Sequence, residues 1–83
     1  MIASAVELMV KGIVAEPDQV AVTSQAAGQR LDIKVNVAAA DYGRVIGRNG
    51  QTISAIRTLA ALAGSHAGTT VTVDVSDEGT SAI

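Results

Sequence analysis

The 83-residue chain contains no cysteine, tryptophan or phenylalanine, and has one tyrosine, one histidine and one proline. Without cysteine there can be no disulfide framework, thiolate zinc site or cysteine nucleophile. A single histidine excludes any site built on two imidazoles, the zinc-binding His-Glu-x-x-His helix included. Aromatics at 1% leave no stacking platform of the kind on which nucleobases are laid in many single-strand binders. No apolar run approaches the ~20 residues that span a bilayer. The first ten residues have no basic segment ahead of their apolar part and carry Glu7 inside it, which reads poorly as a signal peptide and makes the cytoplasm the expected location.

What is present is aliphatic. Residues of the hydrophobic class make up 48%, too many for a disordered chain, and a core must come from Val, Ile and Leu. The length fits one domain, expected over residues 1–76, with 77–83 as a short flexible tail. Net charge is −2, which by itself argues against a nucleic-acid partner. Its distribution argues otherwise. Arg30, Lys34, Arg44, Arg48 and Arg57 fall in one stretch with only Asp32 and Asp41, a local balance of +3. The acidic excess lies outside it, so the middle of the chain is where an anion is tolerated.

Hydrophobic spacing predicts an amphipathic helix from about Ser4 to Val14, with Ser4 and Glu7 as a capping box. Pro17 then forces a turn. Val20 to Thr23 alternates as a strand, Ala26-Ala27-Gly28 reads as a hairpin loop, and Leu31 to Val37 alternates as the clearest strand. Ala39 to Ile46 is helical, with Asp41 as an N-terminal charge. Gly47-Arg48-Asn49-Gly50 interrupts it, and Gln51 to Ala63 resumes, with Gly64 as the expected C-terminal cap. Val71 to Val75 forms a last strand. The order α-β-β-α-α-β predicts an α+β domain, a three-stranded sheet with helices packed on one face.

Several chemical readings fail on spacing. His66 beside Ser65 makes no nucleophile–base pair and has no acidic orienter, so no catalytic residue is expected. The acidic run from Asp74 would need its bidentate Glu at position 85, past the last residue, so no metal site is expected there. Gly43 to Gly50 lacks the Lys-Ser/Thr of a phosphate loop and follows a helix, so neither a nucleotide cofactor nor a small-molecule substrate is expected. The Gly47–Gly50 pair is different. It joins two helical segments by a short link, which sets them at a sharp angle and turns the second helix's free N–H groups outward. Glycines there admit a sugar-phosphate backbone closely.

Val45 to Ile53 resembles the signature of the KH domain, whose Gly-x-x-Gly loop grips the backbone of about four single-stranded nucleotides. The element order resembles the bacterial type II arrangement. Glu16-Pro17-Asp18-Gln19-Val20, Asp41-Tyr42-Gly43-Arg44-Val45-Ile46-Gly47 and Arg57-Thr58-Leu59 are similar to the small stand-alone bacterial KH proteins of the KhpA kind. The resemblance implies an RNA-binding site in which Gly47 and Gly50 clamp the backbone and Arg48 and Asn49 are the exposed middle pair. In the same site Arg44 adds charge at the entrance, and Ile46 and Ile53 form an apolar floor against the Leu31–Val37 strand. Lys34 and Arg57 supply phosphate contacts. It implies single-stranded RNA as partner, a homodimer or pairing with a larger KH protein of the Jag/KhpB type, and a role as RNA chaperone or post-transcriptional regulator, without cofactor or membrane. Fewer cations than usual for that kind follow the loop, which implies a modest binder. The alternative is a protein-interaction module that dimerises through the Ala-rich Gln51–Ala63 helix and has little RNA affinity.

Overall fold

The computed structural model describes residues 2–77. Helix α1 (Ile2–Lys11) leads into the hairpin β1 (Ala21–Ala27) and β2 (Arg30–Val37). A 3-10 turn at Ala39–Asp41 precedes the short α2 (Tyr42–Ile46), a second at Arg48–Gly50 precedes α3 (Gln51–His66), and β3 (Thr70–Asp77) closes the fold. The expected α+β order and three-stranded sheet are as read from the sequence.

The sheet runs β1-β2-β3. β1 and β2 are antiparallel, with Val22 opposite Val35 and Ala27 opposite Arg30 across a turn at Gly28 and Gln29. β3 lies parallel to β2, with Val73 opposite Ile33. A parallel neighbour needs a crossover, and α2 and α3 supply it. Alternation then sorts the side chains. Ile33, Val35 and Val37 on β2 and Val73 on β3 point to the helical side, where they meet Val6, Val10, Val45, Ile53, Ile56 and Ala60. The opposite face carries Gln25, Asp32, Lys34, Asn36 and Thr72, and also Asp74, which sits opposite Lys34 but on the edge strand, where its carboxylate comes within 4.0 Å of Arg57 Nη2 on α3. On that face the Thr72 hydroxyl donates to the Asp32 carboxylate at 2.6 Å and Arg30 Nε does so at 2.9 Å. These two donors hold the Asp32 carboxyl below the usual carboxylate range.

Several local expectations need correction, among them the Ala26-Ala27-Gly28 loop, whose Ala26 and Ala27 are paired residues of β1. α1 stops at Lys11, where Gly12 follows and Ile13 and Val14 both donate to the Val10 carbonyl. Ser4 and Glu7 lie inside α1 and form no cap at its start; Glu7 instead pairs with Lys11 one turn on, at 3.0 Å. Gly64 does not end α3. It is buried within the helix, and a β-carbon there would strike the Val71 side chain and stand 2.5 Å from the Thr69 carbonyl oxygen. The helix ends one turn later in a Schellman motif: Thr69 N–H donates to Gly64 O at 2.7 Å and Gly68 N–H to Ser65 O at 3.1 Å, with Gly68 at φ 73°. Of the tail expected over 77–83, Asp77 belongs to β3, and the rest lies outside the described residues.

Asp41 stands at the N-cap position of α2, as expected, but its side chain makes no cap bond there. It is 1% exposed, and its carboxylate oxygens accept hydrogen bonds from Ala15 N–H at 3.1 Å and Glu16 N–H at 3.0 Å. It thereby pins the α1–β1 connection to the start of α2. A buried carboxylate needs such donors.

Candidate nucleic-acid interface

The link between α2 and α3 is built from backbone conformations that side chains resist. Gly47 closes α2 by donating to the Gly43 carbonyl at 2.8 Å, then turns to φ 79°, ψ 173°, a region nearly restricted to glycine. A β-carbon at Gly47 would overlap Thr52, lying 2.8 Å from its backbone nitrogen. Asn49 (φ 55°, ψ 27°) and Gly50 (φ 73°, ψ 16°) are both left-handed, and Asn is the side-chain-bearing residue that most readily accepts this. Around Gly50 the position of a β-carbon is open space. The two glycines therefore serve differently. Gly47 lets the chain pack on Thr52, and Gly50 leaves an unobstructed surface at the start of α3.

No side chain caps that start; the Gln51 N–H donates to the Arg48 carbonyl, and the helix dipole adds partial positive charge at this end. Arg48 and Asn49 are exposed at the tip of the link. Arg44 stands beside it with its side chain 62% exposed and its Nε 3.6 Å from the buried Asp41 carboxylate. Ile46 is half-buried against the core. Ile53 is 5% exposed, so it supports the site from within and presents almost no surface to a ligand.

Beyond this link, from Arg57 onward, an open groove lies along α3. It is walled by β3, not by the Leu31–Val37 strand expected from the sequence. β2 is the central strand, flanked on both sides, and β3 is the edge that faces α3. The groove first passes Arg57, Val73 and Asp74, then Ala61 and Val71, then Ser65 and the Gly68–Thr70 turn. Arg57 bridges its two walls: Nε donates to the Val73 carbonyl at 2.9 Å, and Nη2 stands 4.0 Å from an Asp74 carboxylate oxygen. Lys34 does not join the others. It projects from the sheet face turned away from the helices, in a shallow depression with Thr23, Ser24, Gln25 and Asp32. The structure thus brings Arg44, Ile46, Gly47, Arg48, Asn49, Gly50 and Arg57 to one side, seats Ile53 beneath them, and leaves Lys34 apart.

Sequence reasoning missed the β3 wall. Alternation in Val71 to Val75 marks a strand, but strand order is set by tertiary pairing and leaves no local mark. Among the described residues no group of three His, Asp or Glu side chains is placed to hold a metal ion, and no helix is long and apolar enough to cross a membrane.

Comparison with known proteins places this geometry. The KH-domain model for KhpA/KhpB matches residues 3–75. The RNA-binding protein KhpA of Leifsonia xyli subsp. xyli is 44% identical over 80 residues, covering 94% of this chain and 100% of that protein. KhpA of Streptomyces coelicolor is 43% identical over 93% of this chain and 94% of its own length, and KhpA of Mycobacterium tuberculosis H37Rv is 42% identical over 93% and 92%. Among solved structures, Era in complex with MgGDPNP and a segment of 16S ribosomal RNA shares the fold, with a TM-score of 0.61 at 20% identity over 94% of this chain and 31% of Era. The crossover through a doubly glycine-bent link, the mixed sheet and these relatives agree: the chain belongs to the KhpA/KhpB KH-domain family.

Proposed function

We propose that this protein binds short single-stranded RNA, holding the sugar-phosphate backbone at Gly47–Gly50 and laying bases along the groove between α3 and β3. The observation that carries the reading is the link itself. Its glycine-restricted backbone and exposed Arg48 and Asn49 stand at the N-terminal end of α3, the helix whose Arg57 and Ala61 line the open hollow against β3, in a chain whose relatives are named RNA-binding proteins. Backbone amides and a helix dipole recognise phosphate without reading sequence, while the aliphatic groove shelters bases that no aromatic ring is present to stack.

One such groove contacts few nucleotides, so a second domain raises avidity. We include in the proposal a homodimer or a complex with a larger KH protein of the KhpB type, a cytoplasmic location, and a non-enzymatic role as RNA chaperone or post-transcriptional regulator. The Ala-rich helix leaves Leu59 and Leu62 exposed, a surface that suits pairing with a second domain alongside RNA binding.

The test is fluorescence anisotropy with a short unstructured RNA, comparing wild type with the Arg48→Asp, Asn49→Asp double variant. Asp tolerates the left-handed conformation at position 49, and both side chains are exposed, so circular dichroism should show an unchanged fold. Loss of binding in the folded variant is the expected result. Equal binding by the two proteins would make the link a structural turn only.

A further inference from the structure

The Val73 carbonyl is the part of the β3 edge that faces the groove, and Arg57 Nε already occupies it at 2.9 Å. That bond has two consequences for a base entering between α3 and β3. One of the two acceptor positions of this carbonyl is thereby taken, which makes it a poorer partner for an exocyclic amine. In its place stand the two terminal nitrogens of the guanidinium, whose planar fork is held by the anchored Nε. Beside them is the Asp74 carboxylate. At 4.0 Å from Nη2 it is too far for a direct charge-assisted hydrogen bond, which closes at ~2.7–2.9 Å. Both side chains are more than half exposed, so the pair is open and each partner retains bonding capacity toward a third molecule.

The wall therefore presents a two-donor fork next to a two-acceptor carboxylate. Of the four RNA bases, guanine alone offers both complements: adjacent acceptors at O6 and N7 for the fork, and adjacent donors at N1 and N2 for the carboxylate. Cytosine matches the fork through N3 and O2 but has a single amine for the carboxylate. Adenine sets one ring acceptor beside its N6 amine, and uracil has a single N3–H donor between two separated carbonyls, so neither offers adjacent acceptors for the fork. Space is adequate, since the hollow lined by Arg57, Ala61, Val71, Thr72, Val73 and Asp74 measures about 330 Å³, and the small Ala61 leaves the opposite wall low. A helical rise of ~1.5 Å per residue puts Arg57 roughly 10 Å along α3 from Gly50, so the base it meets belongs to the strand held at the link.

We propose that Arg57 and Asp74 form a base-reading pair that selects guanine at one position of the bound RNA. The inference rests on the RNA-binding reading above and adds a specificity to it. It is tested with labelled octauridine and three octamers carrying one central G, C or A, titrated by anisotropy against the wild type, Asp74→Asn and Arg57→Lys. Circular dichroism checks that each variant is folded. The wild type should bind the G octamer at least about fivefold more tightly than the A octamer, the range expected of a good bidentate pair. In Asp74→Asn, which loses one of two acceptors, and in Arg57→Lys, which loses the fork but keeps the charge, that ratio should fall to within about twofold.

Equal affinity for all four octamers, preference for C, A or U, or a G preference that survives both substitutions overturns the base-reading pair and leaves backbone binding standing. Failure of every octamer to bind the wild type overturns the RNA-binding reading and the pair with it.

Discussion

At the scale of single residues, the link between α2 and α3 separates two demands that a Gly-x-x-Gly pattern makes look alike. Both glycines have positive φ, but only Gly47 sits where a β-carbon would overlap a neighbour's backbone. Gly47→Ala combines a disfavoured backbone region with a steric clash and should cost about 2–4 kcal/mol. Gly50→Ala adds a methyl group to open space in an ordinary left-handed conformation, for about 1–2 kcal/mol. Urea titration of the two variants should show that order, and Gly50→Ala should remain folded enough for RNA titration. With the RNA backbone held at the link as proposed, the methyl stands where a phosphodiester approaches, so Gly50→Ala should weaken RNA binding even where the protein stays folded. Asp41 shows the limit of reading residues from their neighbours in sequence. As an acid at the head of a helical pattern it reads as a dipole partner, yet its two acceptor bonds go to Ala15 and Glu16, 25 or more positions away. No local pattern carries that.

At the scale of elements, what could be read was periodicity, and what could not was where one element ends against another. The alternation from Leu31 to Val37 predicts β2 well because one of its faces is buried and the other is polar. The apolar spacing of Ile53, Ile56 and Ala60 likewise gives the buried stripe of α3. The ends went wrong where glycine has two uses. Gly64 reads as a cap because it follows the last apolar residue of the stripe, but it is buried where α3 lies tight against Thr69 and Val71. Gly68, four residues on, has the positive φ that closes the helix. The distinction yields a prediction contrary to helix propensity. Gly64→Ala should gain up to about 1 kcal/mol intrinsically but lose about 1–3 kcal/mol to overpacking against Val71 and Thr69. The net effect should be destabilising. Gly68→Ala should cost only the about 1–2 kcal/mol of its left-handed backbone, since nothing lies within 4 Å of the added carbon. Chemical denaturation of the two variants checks this. Overpacking should also shift backbone amide resonances in β3 for Gly64→Ala and leave them in place for Gly68→Ala.

At the scale of the molecule, a chain of net charge −2 can bind a polyanion because its fold segregates charge. Arg44, Arg48 and Arg57 come to the side of the link and groove. Lys34 and Arg30 are carried to the other face of the sheet, where Arg30 is held by Asp32, and Lys11 is paired with Glu7 on α1. On the proposed reading the cations that reach bound RNA are the three near the link and groove, and they are not equal. Arg44 lies over the buried Asp41 carboxylate and Arg57 is tied to β3, which leaves Arg48 as the one whose whole charge is presented to a phosphate. Two or three neutralised phosphates on a single strand give a slope of log affinity against log salt of roughly −1.4 to −2.1. Raising salt from about 50 to 200 mM should then weaken binding by roughly 7- to 18-fold, well short of the thousandfold losses of strongly basic proteins. Arg48→Gln should flatten the slope by about 0.7, one phosphate's worth, whereas Lys34→Gln, on the far face, should leave it unchanged. A slope that responds to Lys34 as strongly as to Arg48 would move the RNA onto the open face of the sheet and away from the glycine link.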